Sequence, residues 1–541
     1  MLKMTKKKPA MKITTNSLDH LGLVAGVFDK LGISEVIDEA IPKNREHRLP
    51  HSGITKGLIL NGLGFVERRL YIFPSYFENL ALERLFCPGI TASDFNEDNV
   101  GRTLDRIYSY GPTRLFNQIA MRCMQEFSFG TNLLHVDTTS FSVHGGYEGD
   151  DCMPAIEITL GHPKDGRWDL NQFVLSLVSN QHGIPLFVKA HSGNKSDKKT
   201  LIETIQELKS NLTFDENIYF VADSAFFSAE NIKLLGYDTL WITHVPTTVN
   251  EVKQLLNRDL EMKPCSDDRY SIFETDVNYG DVDQRWVVVD SSEMRFRKTN
   301  AFDRKIEKEL VLAKKSVKKL GTIAFACAAD ARKAADRWQA DNSHFIIKDL
   351  SINVISKRAS GKRGRPKKDE VLENGYFVEA EVDRNEEAIA RDRSRLGRFV
   401  LASNDTNLEG ELMLQHYKGQ NAVERGFRFL KDKSFRVAEV YLKKEERIEA
   451  LSMIMVLSLL VYSIAEWILR KRLKETGETV LNQLGKPTQR PTLKWIFQKF
   501  RNVNEVVVDL GKSIHRQVTD IDEELIKIIK LVGSECEKYY V

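Results

Sequence analysis

The chain has 541 residues, 42% of them apolar, and a formal net charge of only +3. That length exceeds what one hydrophobic core serves, so several units share the chain, and the near-neutral total neither demands nor forbids a polyanionic partner. Six cysteines without a C-x-x-C pair argue against zinc ribbons and a disulfide scaffold, and with no signal-peptide stretch after Lys3, Lys6, Lys7 and Lys8 the expected location is cytoplasmic. Residues 1–130 read as a helical N-terminal domain. Leu21 to Phe28, Ile54 to Leu60 and Leu115 to Phe127 carry apolar residues at helical spacing, with polar connectors at Pro42 to Arg45 and Thr91 to Asp94. From 131 to 255 short apolar runs take over. Leu133 to Asp137, Phe173 to Val178, Leu186 to Ala190, Ile218 to Asp223 and Trp241 to Val245 read as strands, with a helix from Lys199 to Leu208. This order predicts an α/β core with a mixed sheet and helical crossovers.

Residues 256–395 read as a β-rich insertion, with strand-like Arg285 to Asp290 and Phe377 to Val382 around a charged helix from Asn300 to Lys319. The core resumes over 396–470 with a strand at Gly397 to Ser403 and helix from Gln415 onward. Ala450 to Ala465 is sixteen residues without a charge. A bilayer needs about 20 apolar residues, so a buried core helix is expected here and no membrane partner. Residues 471–541 read as a helical tail, with Ile521, Leu525, Ile528, Ile529 and Val532 on one face, packed on the same chain or on a second subunit.

Two acids share one context. Asp137 and Asp223 each end an apolar strand and are followed by small or hydroxyl residues, and in open sheets ligand sites gather at strand carboxyl ends. A third acid, Glu424, sits in Tyr417 to Lys431, where Val423, Phe427 and Leu430 make one apolar helical face. Tyr417, Glu424 and Lys431 recur every seven residues, nearly two turns, so on one continuous helix they stack about 10 Å apart. Magnesium prefers oxygen ligands, and two such ions about 4 Å apart need a shared carboxylate and one further acid each. Beside them Lys431 can contact a phosphate as a point charge and Tyr417 can donate a hydrogen bond. Taken singly, each acid also has a plainer reading. A strand-end aspartate is often a turn or cap residue, and Glu424 can pair with Arg428 one helical turn on.

The text around these acids resembles bacterial insertion-sequence transposases of the DDE class, in the branch with a β-rich insertion before the last glutamate. The matching stretches are His135 to Phe141, Gly161 to Gln172, Gly183 to Leu186, Gly193 to Asp197, Ala222 to Ala225 and Tyr417 to Lys431, in the family's order. The resemblance implies a ribonuclease-H-like catalytic core, with Asp137, Asp223 and Glu424 as catalytic ligands for Mg2+, or for Mn2+ in its place. It implies double-stranded DNA partners, both terminal inverted repeats and target DNA, and a homodimer on paired ends. It also implies hydrolysis at the element end followed by transfer of the 3′-hydroxyl; the alternatives are a nuclease without strand transfer and a non-catalytic DNA-binding derivative. The family's tyrosine–arginine–glutamate–lysine signature falls on Tyr417, Glu424 and Lys431. Gln420 stands at its arginine position, which removes a charge from this DNA-contacting set. The helical N-terminal domain is then either an end-recognition unit or a scaffold that never touches DNA.

Weaker signals each have two readings. Asp197 is a metal ligand or a helix cap; Asp165 and Asp169 lie in a turn and read as structural. Lys362 to Lys368 resembles an AT-hook, in which Arg363 and Arg365 would enter a narrow minor groove, or it is a solvated basic loop. Trp286 and Trp338 stack on an extruded base or pack in a core.

Overall fold

The structure, a computed structural model, describes residues 11–43, 48–64, 73–144, 156–164, 166–211, 218–358, 372–432, 442, 444–511 and 513–541. Asp165 and the basic run with Arg363 and Arg365 lie outside the described residues. The chain opens with strand β1 (Lys12–Ser17), followed by helices that include Leu21–Lys30, His51–Leu63, Glu97–Tyr110 and Pro112–Phe127. Next come β2 (Leu133–Val143), β3 (Asn171–Asn180), β4 (Pro185–Ser192), β5 (Tyr219–Ala222) and β6 (Leu240–Val245). After them follow β7 (Lys263–Pro264), β8 (Tyr270–Tyr279), β9 (Val282–Ser291), β10 (Phe345–Arg358), β11 (Leu372–Arg384) and β12 (Arg398–Ser403).

Nine of these strands form one sheet in the order β4-β3-β2-β5-β6-β12-β9-β8-β7. β2, β3 and β4 pair antiparallel, β5 lies parallel to β2 and to β6, and β12 returns antiparallel between β6 and β9. The sheet is therefore mixed, as its sequence order predicts. Every residue of β3 after Asn171 is buried, because both faces of this half are covered. Helix Asp197–Asn211 packs on β2, β3 and β4, and helix Asn421–Leu430 packs on β2 and β3.

The stretch 256–395 divides in two. β7 to β9 continue the central sheet, whereas Ser292 onward leaves it as helix Ser292–Leu320, helix Ala328–Asp341, the β10–β11 hairpin and helix Glu386–Arg395. This outlying part has small cores of its own, one around Ile306, Val317, Phe345 and Ile389. It is thus as helical as it is stranded. The alanine-rich text of 328–335 favours helix. Trp286 is wholly buried, and Trp338 packs beside Phe302 and Leu310 with its Nε1 donating to Ser316 Oγ at 2.7 Å. Both tryptophans are packing residues.

The apolar stretch after Glu449 forms part of the 32-residue helix Glu445–Thr476. Its most apolar window is 83% buried inside the protein, packed on the helices at His51, Glu97 and Pro112. The last seventy residues contain strands as well as helix. Asn504–Asp509 pairs with β1 on one side and Ile514–Thr519 on the other; its Val506-Val507-Val508 run is β-branched, which suits a strand. Leu525, Ile528, Ile529 and Val532 are buried, and their helix Glu523–Val532 packs on the long helix of the same chain. The two chain ends interlock: the Tyr540 hydroxyl donates to Asp19 O at 2.7 Å, and Lys56 pairs with Asp29 at 3.0 Å while donating to Tyr539.

Candidate active site

Strand register places the first two acids. Val136 opposite Ala222 is the last rung between the parallel strands β2 and β5, so Asp137 and Asp223 are the next residues along. Asp223 follows the end of its strand as expected, but β2 goes on pairing with β3 to Val143, so Asp137 lies inside its strand and not at its end. Such strands lie about 4.8 Å apart and in-register side chains share a face. Local bonds fix both residues. Asp223 Oδ1 accepts from Ala225 N at 3.0 Å, and its carbonyl accepts from Thr243 Oγ1 at 2.8 Å. Asp137 Oδ1 accepts from Thr138 N at 2.7 Å and lies 3.8 Å from Lys164 Nζ.

The third acid arrives on a segment laid across the same face. His135, Asp137 and Phe141 point to one side of β2 by strand alternation, and the segment can be followed over them. Gly419 stands above His135, where a Cβ would come within 2.8 Å of Nε2. Gly426 lies over Leu177, the rung partner of Asp137, and Lys431 Nζ sits 5.3 Å from the Phe141 ring. Val423, Phe427 and Leu430 are buried beneath it while Glu424 is exposed. The continuous helix expected from Tyr417 to Lys431 is interrupted. Helix Gly410–Lys418 ends, Gly419 N and Gln420 N bond three residues back to His416 O and Tyr417 O, and a new helix begins at Asn421. These tight bonds, with the close approach to His135, break the even seven-residue stacking, and Lys431 becomes the C-cap of the second helix.

Tyr417 lies within electrostatic reach of all three acids. The Tyr417 phenol is pushed up to about 12, first by burial and then by the charges of Asp223, Glu424 and Asp137. It is therefore a protonated donor at neutral pH. Beside it, 6.5 Å away, the His244 ring is lowered by burial and by Lys298 and raised by Asp223. His135 is lowered to about 4 by burial and then by His416, and neither ring nitrogen has a hydrogen-bond partner among the described residues. Gln420 is buried at the helix junction. Asp197 opens helix Asp197–Asn211, and Asp169 pairs with Arg167 at 2.8 Å on the surface. Sequence reading did not single out Lys164, His135, His244 or Lys298; the first lies inside a matching stretch, and its position beside Asp137 is a through-space fact.

Among the described residues no three His, Cys, Asp or Glu side chains stand close enough to form a ready-made metal cage. A family model described as transposase DDE domain matches residues 128–461, and one described as domain of unknown function (DUF4277) matches residues 13–121. The chain belongs to the DDE transposase family. It is of the insertion-sequence type, an enzyme class that acts on DNA in transposition and recombination. No curated protein matches the chain. The DDE match starts just before β2 and ends inside the long helix, so it takes in all three acids and the stretch between Asp223 and Glu424.

Proposed function

We propose that this DDE transposase cuts DNA at the ends of its element and joins the freed 3′-hydroxyl to target DNA, with Asp137, Asp223 and Glu424 as its catalytic carboxylates on a ribonuclease-H-like core. The observation that carries this reading is the pair of aspartates in register on neighbouring strands, Asp137 inside β2 and Asp223 just past β5, with the Glu424 segment laid over the same face. The donor set is all carboxylate oxygen, which suits Mg2+, with Mn2+ as a substitute. When bound, the ions supply activation of water or a 3′-hydroxyl and stabilisation of the leaving oxygen.

The chain's own groups supply the rest. The sheet holds two acids rigidly, and Glu424 completes the set by turning inward from its exposed helix position. Tyr417, kept protonated, donates to a phosphate oxygen, and Lys431 contacts a neighbouring phosphate. Gln420 contributes no charge, and its place in the helix junction makes it a spacer. The helical N-terminal domain reads the terminal repeats, and two copies pair the two ends. A gel assay with pre-cut ends, a target plasmid and Mg2+ tests this: joined products are expected, and Asp137→Asn should abolish them while DNA binding persists. Cleavage without joining would leave a nuclease, and full activity in Asp137→Asn would overturn the catalytic reading.

A further inference from the structure

Lys164 occupies a place the three-acid scheme does not assign. Its backbone N–H donates to Ser140 Oγ at 2.9 Å, which ties Lys164 to β2. Its Nζ donates to Thr138 O at 2.5 Å and lies 3.3 Å from Thr138 Oγ1, so the ammonium is anchored on the backbone just past Asp137. From there it stands 3.8 Å from Asp137 Oδ1, close enough to neutralise the carboxylate but too far for a tight charged hydrogen bond. The same segment turns a large aromatic outward: Trp168 is 63% exposed, edge-on to His162 at 5.6 Å. A cation beside the reacting acid and an exposed ring a few residues on are what a DNA-facing segment requires.

Resting on the function proposed above, we infer that Lys164 is the built-in counter-cation of the site. It neutralises Asp137 before a divalent ion arrives, competes with that ion for the carboxylate, and turns to a DNA phosphate once the ion has taken over. Nothing is consumed in the exchange; one positive partner of Asp137 replaces another.

Three variants of the full chain test it: Lys164→Gln, which keeps a donor for the Thr138 carbonyl but removes the charge, Lys164→Arg, which keeps the charge, and Asp137→Asn as reference. Mn2+ alone is titrated by calorimetry without DNA. Removing a unit charge so near a divalent site should tighten Mn2+ binding about tenfold in Lys164→Gln and leave it near wild type in Lys164→Arg. With Ca2+ present, binding of a mixed-sequence duplex by Lys164→Gln should weaken, and its log–log salt slope should shrink by about 0.9, one phosphate contact. A merely structural lysine would weaken both bindings together. Unchanged or weaker Mn2+ affinity in Lys164→Gln, while Asp137→Asn does lose Mn2+, would overturn the counter-cation role alone. Mn2+ binding unaffected by Asp137→Asn would instead overturn the metal-site reading on which it rests.

Discussion

Replacing Glu449 with glutamine isolates the cost of a carboxylate that the fold keeps from water. Glu449 lies in the first turns of the helix Glu445–Thr476, and its Oε2 is buried without a hydrogen-bond partner among the described residues. Burial pushes the carboxyl up to about 7; Lys189 pulls it down and Glu446 adds to the rise. Lys189 is itself paired with Glu207, so its help is shared. Holding the group at about 7 instead of 4.5 disfavours the ionised form by about 3.5 kcal/mol at most, and solvent at the partly exposed side chain lowers this to about 2 kcal/mol. The folded chain binds this proton more tightly than the unfolded one. Its contribution is therefore full below pH 4.5, is lost as pH rises toward 7, and is gone above that. Glu449→Gln cannot ionise and lacks that slope. Against wild type it should gain about 2 kcal/mol more at a pH of about 8 than at about 4.5, read by denaturant titration at both. Parallel pH dependences for the two proteins would refute the burial argument.

The other expectations concern the site and the joint between chain ends. Asp137→Asn, Asp223→Asn and Glu424→Gln should each lower DNA cleavage by about a thousandfold or more with the melting temperature kept, as gel assays and thermal scans will show. Gly419→Ala puts a methyl 2.8 Å from His135 Nε2 and should cost about 1–3 kcal/mol; adding His135→Ala should restore most of it, and a stable, active Gly419→Ala would show that the segment is not seated there. Arg84 Nε donates to the wholly buried Glu505 at 2.7 Å, with Arg516 on the other oxygen at 3.3 Å. Arg84→Met should therefore destabilise by about 3 kcal/mol in calorimetric unfolding, with part of the loss recovered when Glu505→Leu is added.

The core strands were legible because each carries a short apolar run; Asp223 marks the end of one, whereas at Asp137 the apolar run stops but the strand does not, since β2 pairs on with β3 as far as Val143. Strand parity then follows from alternation alone. What could not be read was which strands lie side by side. Tyr270–Tyr279 alternates between partly buried and exposed positions, which announces a strand with one wet face but not that it extends the sheet beyond β12. The strand Asn504–Asp509 finds its partner at the opposite end of the chain, a pairing that local pattern cannot encode. At the site, the apolar face of Val423, Phe427 and Leu430 was readable, whereas the break at Gly419 was not. A glycine in a helical text is ordinarily tolerated; here it is required by an imidazole from a strand almost three hundred residues earlier.

The site joins two kinds of support. Asp137 is held by its rung to Leu177 in a sheet half buried on both faces, and Asp223 directly follows the last rung of β5, with their own carboxylates caught by the backbone N–H groups that follow. Moving either acid means moving a strand, which close packing resists. Glu424 is held only by the apolar underside of a ten-residue helix, on a tight junction at Gly419 and Gln420, with its carboxylate in solvent. Under the proposed function the rigid pair would set where divalent cations gather, with Glu424 the more adjustable third acid. The Tyr417 phenol lies within electrostatic reach of all three carboxylates. In the proposed site, preorganised acids on the sheet and an adjustable acid on the helix would divide the work of holding divalent ions.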